Sequence, residues 1–447
     1  MNAQTDNTLT SMSHPAGAGS GLAVETAPGR PADANLAYAD SRSPTRAGGF
    51  RGGASRLPGA TSVASAPLAL GPRPRVLVVK LATLGDLLLA TPMLRALRAR
   101  YPQARLDLLT SAVAAPLIED SPLLDHVYTF DKRAFDDLAA LAGSAGELGR
   151  LAPLALRLRA NRYDAVILAH HLTLPAGRLK YRALLAAIHP RRSVGLDNGH
   201  GSFLSLRVRD EGFGALHEAE YALALAAALD APIPQSDRGL RLADLGWPSA
   251  TPTPVGAGEA PQIALHPGGG AYSLARRWPA SRYVELAQAL WAEFGASVTL
   301  VGGAEERALQ AEILDALGRP RWASALPGDV TPRALAAMLG ASHLFIGNDS
   351  LPMHLAAAAG TPVVAIFGPS NARAWGPYLP HTPERAIVVR RDDLPCSPCI
   401  YRGHALGTPA GCPPRPCLTE LRSDLALVAA RRLLRRPTAL RPASPAS

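Results

Sequence analysis

Three strand-to-helix junctions hold the residues best suited to chemistry in this 447-residue chain. In Lys80-Leu-Ala-Thr-Leu-Gly-Asp86 a single acid, Asp86, follows Gly85 amid apolar residues. A carboxylate held there could act as a general base; the position equally suits an acid favoured by the macrodipole at a helix start. The stretch has neither G-x-G-x-x-G spacing nor a Walker lysine, which excludes a dinucleotide or P-loop site there. The second junction, His266-Pro-Gly-Gly-Gly270, is followed by Arg276-Arg277-Trp-Pro279. Exposed N–H groups around Gly268 and Gly269, with two arginines, suit a diphosphate; a flexible loop with two solvated arginines reads the same way. The third, Gly347-Asn-Asp-Ser-Leu-Pro-Met-His354, brings Asp349 and Ser350 to the start of an alanine-rich helix. Both could simply cap it, but His354 one turn later on the same face favours a ligand-facing role.

Near the C-terminus Cys396, Cys399, Cys412 and Cys417 follow the pattern C-x2-C, twelve residues, C-x4-C. In a reducing compartment four thiolates at this spacing suit a tetrahedral structural Zn or Fe. Four reduced thiols or two disulfides are the other readings.

These junctions need strands to deliver them. Arg75–Leu81 is a continuous apolar run fit for a strand buried on both faces, and strands are also expected at 106–109, 126–130 and 164–168. Between the first two lies a helix, with Thr91 as cap and Pro92 in its first position. Residues 246–261, dense in Pro and Gly, read as a linker. The pattern then restarts: strands at 263–266, 298–301, 343–346 and 363–367, a helix from Ser281 to Phe294 closed by Gly295, and another opened by Thr331-Pro332. Two α/β halves predict two Rossmann-like domains facing a cleft, at 73–245 and 262–435. Residues 1–72, rich in Ala, Gly, Ser, Pro and Arg, read as a disordered tail, and 436–447 as a second tail.

Composition narrows the class. Hydrophobic residues make up 47% of the chain, enough for real cores, which excludes global disorder. The formal charge is +10, and lysine occurs only at Lys80, Lys132 and Lys180, so arginine carries the balance. With aromatics at 5%, the basic–aromatic interleaving of nucleic-acid binders is missing. No apolar run reaches the roughly 18 residues that span a bilayer, and the N-terminus lacks a secretory pattern. A cytoplasmic enzyme is expected, and Arg178, Lys180, Arg182, Arg191 and Arg192 could form a surface for an anionic partner or a merely solvated face.

The runs VLVVKLATLGDLLLATPMLRAL, HPGGG…RRWPASRYVELAQAL, VTLVGGAEER and FIGNDSLPMHLAAAAGTPVVAIFGPS, in this order, resemble glycosyltransferase family 9, the ADP-heptose:lipopolysaccharide heptosyltransferases. The resemblance covers about Arg75 to Leu427. It implies a GT-B fold, inversion at the anomeric carbon and no metal for catalysis. Asp86 then matches the general base, and Arg276 or Arg277 the contact to donor phosphates. Asp349, Ser350 and His354 match the donor-site helix start, and Glu305 or Glu306 the acid holding the nucleotide ribose. The cysteine loop resembles a finger found in some members. Two departures stand out: the arginine pair replaces a usual lysine, and Leu351 stands where glycine is common. The expected function is heptosyl transfer from ADP-heptose to a lipopolysaccharide inner-core acceptor. The alternatives are a protein or other glycan acceptor, or a nucleotide-sugar binder without catalysis.

Overall fold

The computed structural model describes residues 66–130, 145–249, 259–270 and 272–435. The expected tail at 436–447, most of that at 1–72 and the centre of the expected linker lie outside them. Within the first segment, Leu68 donates its N–H to Ala228 O at 2.9 Å, and Leu68 and Leu70 pack on the core.

Among the described residues twelve strands form two six-stranded sheets, and every pairing between these strands is parallel. The first holds β1 (Arg75–Lys80), β2 (Arg105–Ser111), β3 (His126–Phe130), β4 (Ala165–Leu168), β5 (Arg192–Asp197) and β6 (Leu206–Arg209) in the order β3-β2-β1-β4-β5-β6. The second holds β7 (Gln262–His266), β8 (Ser297–Leu300), β9 (Ala323–Ala325), β10 (Leu344–Asn348), β11 (Val363–Ile366) and β12 (Ala386–Val389) in the order β12-β11-β10-β7-β8-β9. Read from its other edge, the second sheet repeats the first. In each, strand order reverses between the first and fourth strands, and ligands of open α/β sheets bind beyond the carboxyl ends at that switch point. Here those ends are Lys80 beside Leu168, and His266 beside Asn348.

The local chemistry of the sequence explains the elements. β1 and β4 are buried on both faces, as their unbroken apolar runs require. The helix Ala280–Phe294 stops at Gly295, whose φ of 62° is left-handed. Thr331 accepts from Ala334 N–H and Pro332 opens the helix to Ala341. One expectation is corrected: the second helix runs Thr91–Arg100 with Ala90 at its cap, and buried Thr91 donates to Leu88 O. Strands β5, β6, β9 and β12 were not expected; the last three have only three or four residues, and β5 and β6 begin or end on arginine.

The largest apolar cluster runs through both halves. It joins Val76, Leu88 and Met93 of the first to Phe345, Met353 and Leu355 of the second. The halves meet where the five-residue helix α1 (Leu84–Leu88) packs on the helix Leu351–Ala359. No helix among the described residues is long and apolar enough to cross a membrane.

Candidate active site

Both switch points open onto the same place. From the first half, β1 ends at Lys80, whose Nζ donates to Ala169 O at 2.9 Å, and the chain turns into α1 with Thr83 at its cap. Asp86 lies in the first turn. Its Oδ2 accepts from Thr83 Oγ1 at 2.8 Å, and its Oδ1 accepts from the indole N–H of Trp375, in the other half, at 3.0 Å. Burial opposes ionisation of Asp86. The charge of Lys80, the two hydrogen bonds and nearby His354 outweigh it and hold its pKa below the usual carboxylate range. Asp86 is therefore a carboxylate at neutral pH.

The second half answers with a glycine-rich loop built around Glu306. Oε1 of Glu306 accepts from Gly269 N–H at 3.0 Å and Gly270 N–H at 3.3 Å, and Oε2 from Gly303 N–H and His266 Nε2, both at 3.1 Å. Burial would raise its pKa, but the His266 hydrogen bond and charge and the backbone donors pull it down to about 2. So placed, Glu306 holds the loop's shape and has no free edge for a ribose. Its neighbour Glu305 is exposed and is the acid of the pair that a nucleotide could reach.

Arg276 uses its planar fork. One terminal nitrogen donates to Asp349 Oδ2 at 3.2 Å and the other to Gly269 O at 2.7 Å. A lysine is a single point donor and could not span both in this way, so the departure from lysine has a structural use. Arg277 lies 3.8 Å from Glu306 Oε1. Nε of both arginines is buried without a partner.

Beyond β10, Asn348 ties down the glycine loop through Pro267 O and Gly268 O at 2.9 and 2.7 Å. Ser350 stands at the cap position of the helix Leu351–Ala359, but its side chain does not cap it. Its Oγ lies 2.9 Å from His266 Nδ1 instead. The N–H groups of that helix's first turn are thus left to face the site. Leu351 packs against the shared core.

His354 is 2% exposed, and its Nδ1 has no hydrogen-bond partner. Burial, with His217 and Arg276 and against Asp349 and Asp86, pulls its pKa down to about 4, so the imidazole is neutral at pH 7. It lies against Gly85: a β-carbon there would stand 3.3 Å from His354 Cδ2. Asp86, Arg276, Asp349 and His354 are thus gathered in one place from three junctions.

Sequence reasoning missed an aromatic wall beside them. Trp375 and Tyr401 have ring centroids 4.2 Å apart, Phe213 lies 5.2–5.3 Å from each, and Tyr272 stacks on Tyr401 at 5.9 Å under the Arg276 guanidinium. Nothing periodic marks these residues; Trp375 ends a four-residue helix (Ala372–Trp375) after β11, and Tyr401 lies within the cysteine loop. His171 was also missed. Its ring donates to Asp210 Oδ2 at 2.9 Å and Glu218 Oε1 at 3.0 Å.

The four cysteines are free thiols. Among the described residues no three His, Cys, Asp or Glu side chains are grouped so as to hold a metal ion, so this arrangement gives the tetrahedral set suggested by spacing no support. Burial, then the neighbouring thiols, raises the Cys417 pKa to about 11. The loop is anchored by the protein itself: Cys399 and Ile400 donate their N–H groups to Pro369 O at 2.9 and 2.8 Å, and Asn371 Nδ2 donates to Tyr401 O at 2.9 Å. The expected basic surface divides. Arg178 and Arg182 line a hollow with His200 and Phe203, while Arg191 and Arg192 lie at the amino ends of the strands, where Arg192 pairs with Ala165.

The family model for glycosyltransferase family 9 (heptosyltransferase) matches residues 151–408, more than half of the chain. The chain belongs to glycosyltransferase family 9. It is 29% identical over 326 residues to lipopolysaccharide heptosyltransferase 2 of Escherichia coli strain K12, covering 71% of this chain and 88% of that one. Among solved structures it resembles E. coli ADP-heptose lps heptosyltransferase II, with 25% identity and a TM-score of 0.55 over 80% of this chain and 98% of that one. It shares its fold with E. coli heptosyltransferase WaaC with ADP, at 20% identity and a TM-score of 0.58 over 80% of this chain and 99% of that one. As a family 9 member this protein is a glycosyltransferase of the GT-B fold, and its two parallel sheets are those the family resemblance implies.

Proposed function

We propose that this family 9 enzyme transfers a heptose from ADP-heptose to a hydroxyl of a lipopolysaccharide inner-core acceptor, with inversion. The acceptor oxygen attacks the anomeric carbon, the bond from that carbon to the diphosphate oxygen breaks, and ADP departs with the electron pair. Asp86 takes the hydroxyl proton as the new bond forms. Arg276 and the open helix start at Ser350 stabilise the charge gathering on the diphosphate, and Gly268 and Gly269 let the backbone approach it. Arg277 adds positive charge. Glu305 receives the ribose, and the unpartnered His354 Nδ1 is left to a donor hydroxyl.

The observation that carries this reading is the meeting of Asp86 with Arg276, Asp349 and His354 across the two halves. The lipopolysaccharide and ADP-heptose of the relatives' names supply the acceptor and donor class. The acceptor approaches from the cytoplasmic face of the inner membrane, where Arg178 and Arg182 meet its anionic groups.

The test offers purified enzyme ADP-heptose and UDP-, GDP- and dTDP-sugars with truncated lipopolysaccharide, read by mass spectrometry. Release of ADP with a heptose-sized gain on the lipid is expected. Turnover with another nucleotide sugar alone would replace the donor; donor binding without transfer to lipid would replace the acceptor. Asp86→Ala should lower transfer by about 10²–10⁴-fold while donor binding persists.

A further inference from the structure

The segment Asn371–Tyr378 belongs to the second half, yet it is fastened to the first. Asn371 Nδ2 donates to Phe213 O at 3.1 Å. His217 Nδ1 accepts from Ala219 N–H, so its Nε2 carries the proton and donates to Gly376 O at 3.0 Å. The Tyr378 hydroxyl donates to Glu220. At the middle of this segment the Trp375 ring is packed by Tyr401 at 4.2 Å and Phe213 at 5.3 Å. Its indole N–H, which has no acceptor ability and one direction of donation, meets Asp86 Oδ1 at 3.0 Å.

We propose that Trp375 is a positioning residue for the catalytic carboxylate: its N–H, supplied by the opposite half, fixes the orientation of Asp86 when the halves are together. This rests on the reading of Asp86 as the base. With Oδ1 held by Trp375 and Oδ2 by Thr83, the carboxylate cannot rotate, and its remaining lone pairs point in set directions. The aromatic packing makes the donor rigid, so orientation costs nothing further at the moment of reaction. The other groups acting on Asp86 are Lys80 and His354, and Asp86 in turn acts on Tyr401. Loss of the indole donor therefore removes one of a small set of groups that favour the ionised carboxylate.

Trp375→Phe deletes the N–H and keeps one aromatic ring in the packing, at the cost of the indole's second ring. Expected are a kcat about ten- to a hundredfold lower, the range for a hydrogen bond to a charged group, and a donor KM near that of the wild type. The acid limb of the pH–rate profile should move to higher pH, which a merely structural role would not do. Wild-type kcat and an unmoved acid limb would overturn the proposal. If the variant does not fold, the five indole N–H signals of the wild type, one per tryptophan, decide the matter by NMR. Asp86→Ala must displace one of them strongly, and no strongly displaced signal would overturn the proposal. Failure of the underlying reading looks different: Asp86→Ala would then retain full transfer, whatever the indole signals do.

Discussion

Gly268 and Glu306 stand so close that a β-carbon on the glycine would lie 1.7 Å from the glutamate's Oε1. The glutamate cannot step aside, because His266, Gly269, Gly270 and Gly303 all hold it. Gly268→Ala should therefore break this cluster. Overpacking of this kind costs about 1–3 kcal/mol, and the loop that faces the donor would be reshaped. Thermal unfolding and ADP titration calorimetry check both effects; a variant with unchanged melting and ADP affinity would contradict the packing described.

Arg276 spans Asp349 and Gly269 with two arms. Arg276→Ala should lower kcat/KM by about 10²–10³-fold, the usual scale for one preorganised charge stabiliser. Arg276→Lys keeps the charge and loses one contact, so its activity should fall between the two. A lysine variant with wild-type kinetics would mean that the fork has no role beyond its charge.

His171 predicts a stability change with pH. Burial lowers its pKa, but Glu218 and Asp210 outweigh burial and raise it from 6.5 to about 9. A group whose folded pKa is raised contributes fully below its unfolded value and loses that contribution as pH rises through the folded one. Stability should thus be greatest from this source below pH 6.5 and fall by about 3 kcal/mol as pH passes 9. Urea unfolding at pH 6 to 10 reads this out. His171→Gln should flatten that slope and, by leaving two buried acids unpaired, destabilise the protein by about 3–5 kcal/mol.

The cysteine loop is held by backbone hydrogen bonds to Pro369 and by Asn371. Replacement of Cys396, Cys399, Cys412 and Cys417 by serine should shift the melting temperature by only about 1–2 °C, a change of roughly 1 kcal/mol for a chain of this size. A collapse of the fold, together with zinc or iron found in the wild type by elemental analysis, would restore the metal reading.

Much of this was legible in sequence because the residues obey local rules. β1, β4, β7 and β10 are unbroken apolar runs, and Gly295 and Thr331-Pro332 mark helix ends by their own chemistry. The junctions at Asp86, Gly268 and Asp349 were visible because a strand must be followed by the residues it delivers. What escaped depends on contacts between distant segments. Thr91 looks like a cap until the turn before it is known to be helical. Glu305 and Glu306 are alike in sequence and opposite in burial. Trp375, Tyr401 and Phe213 come from three distant segments whose meeting no local periodicity announces.

The parallel pairing of all twelve strands also bears on how the molecule is made. Hairpins cannot join parallel neighbours, so each pairing waits for a crossover; Val76 can pair with Leu106 on one side, but its other side stays open until Ala165 has been synthesised. Such long-range topology folds slowly. The first sheet can assemble while the second is still emerging from the ribosome, but one apolar core is shared by the two. A nascent chain that ends before Leu355 therefore carries an uncovered greasy face, and stalled or truncated products should be chaperone clients and aggregate readily.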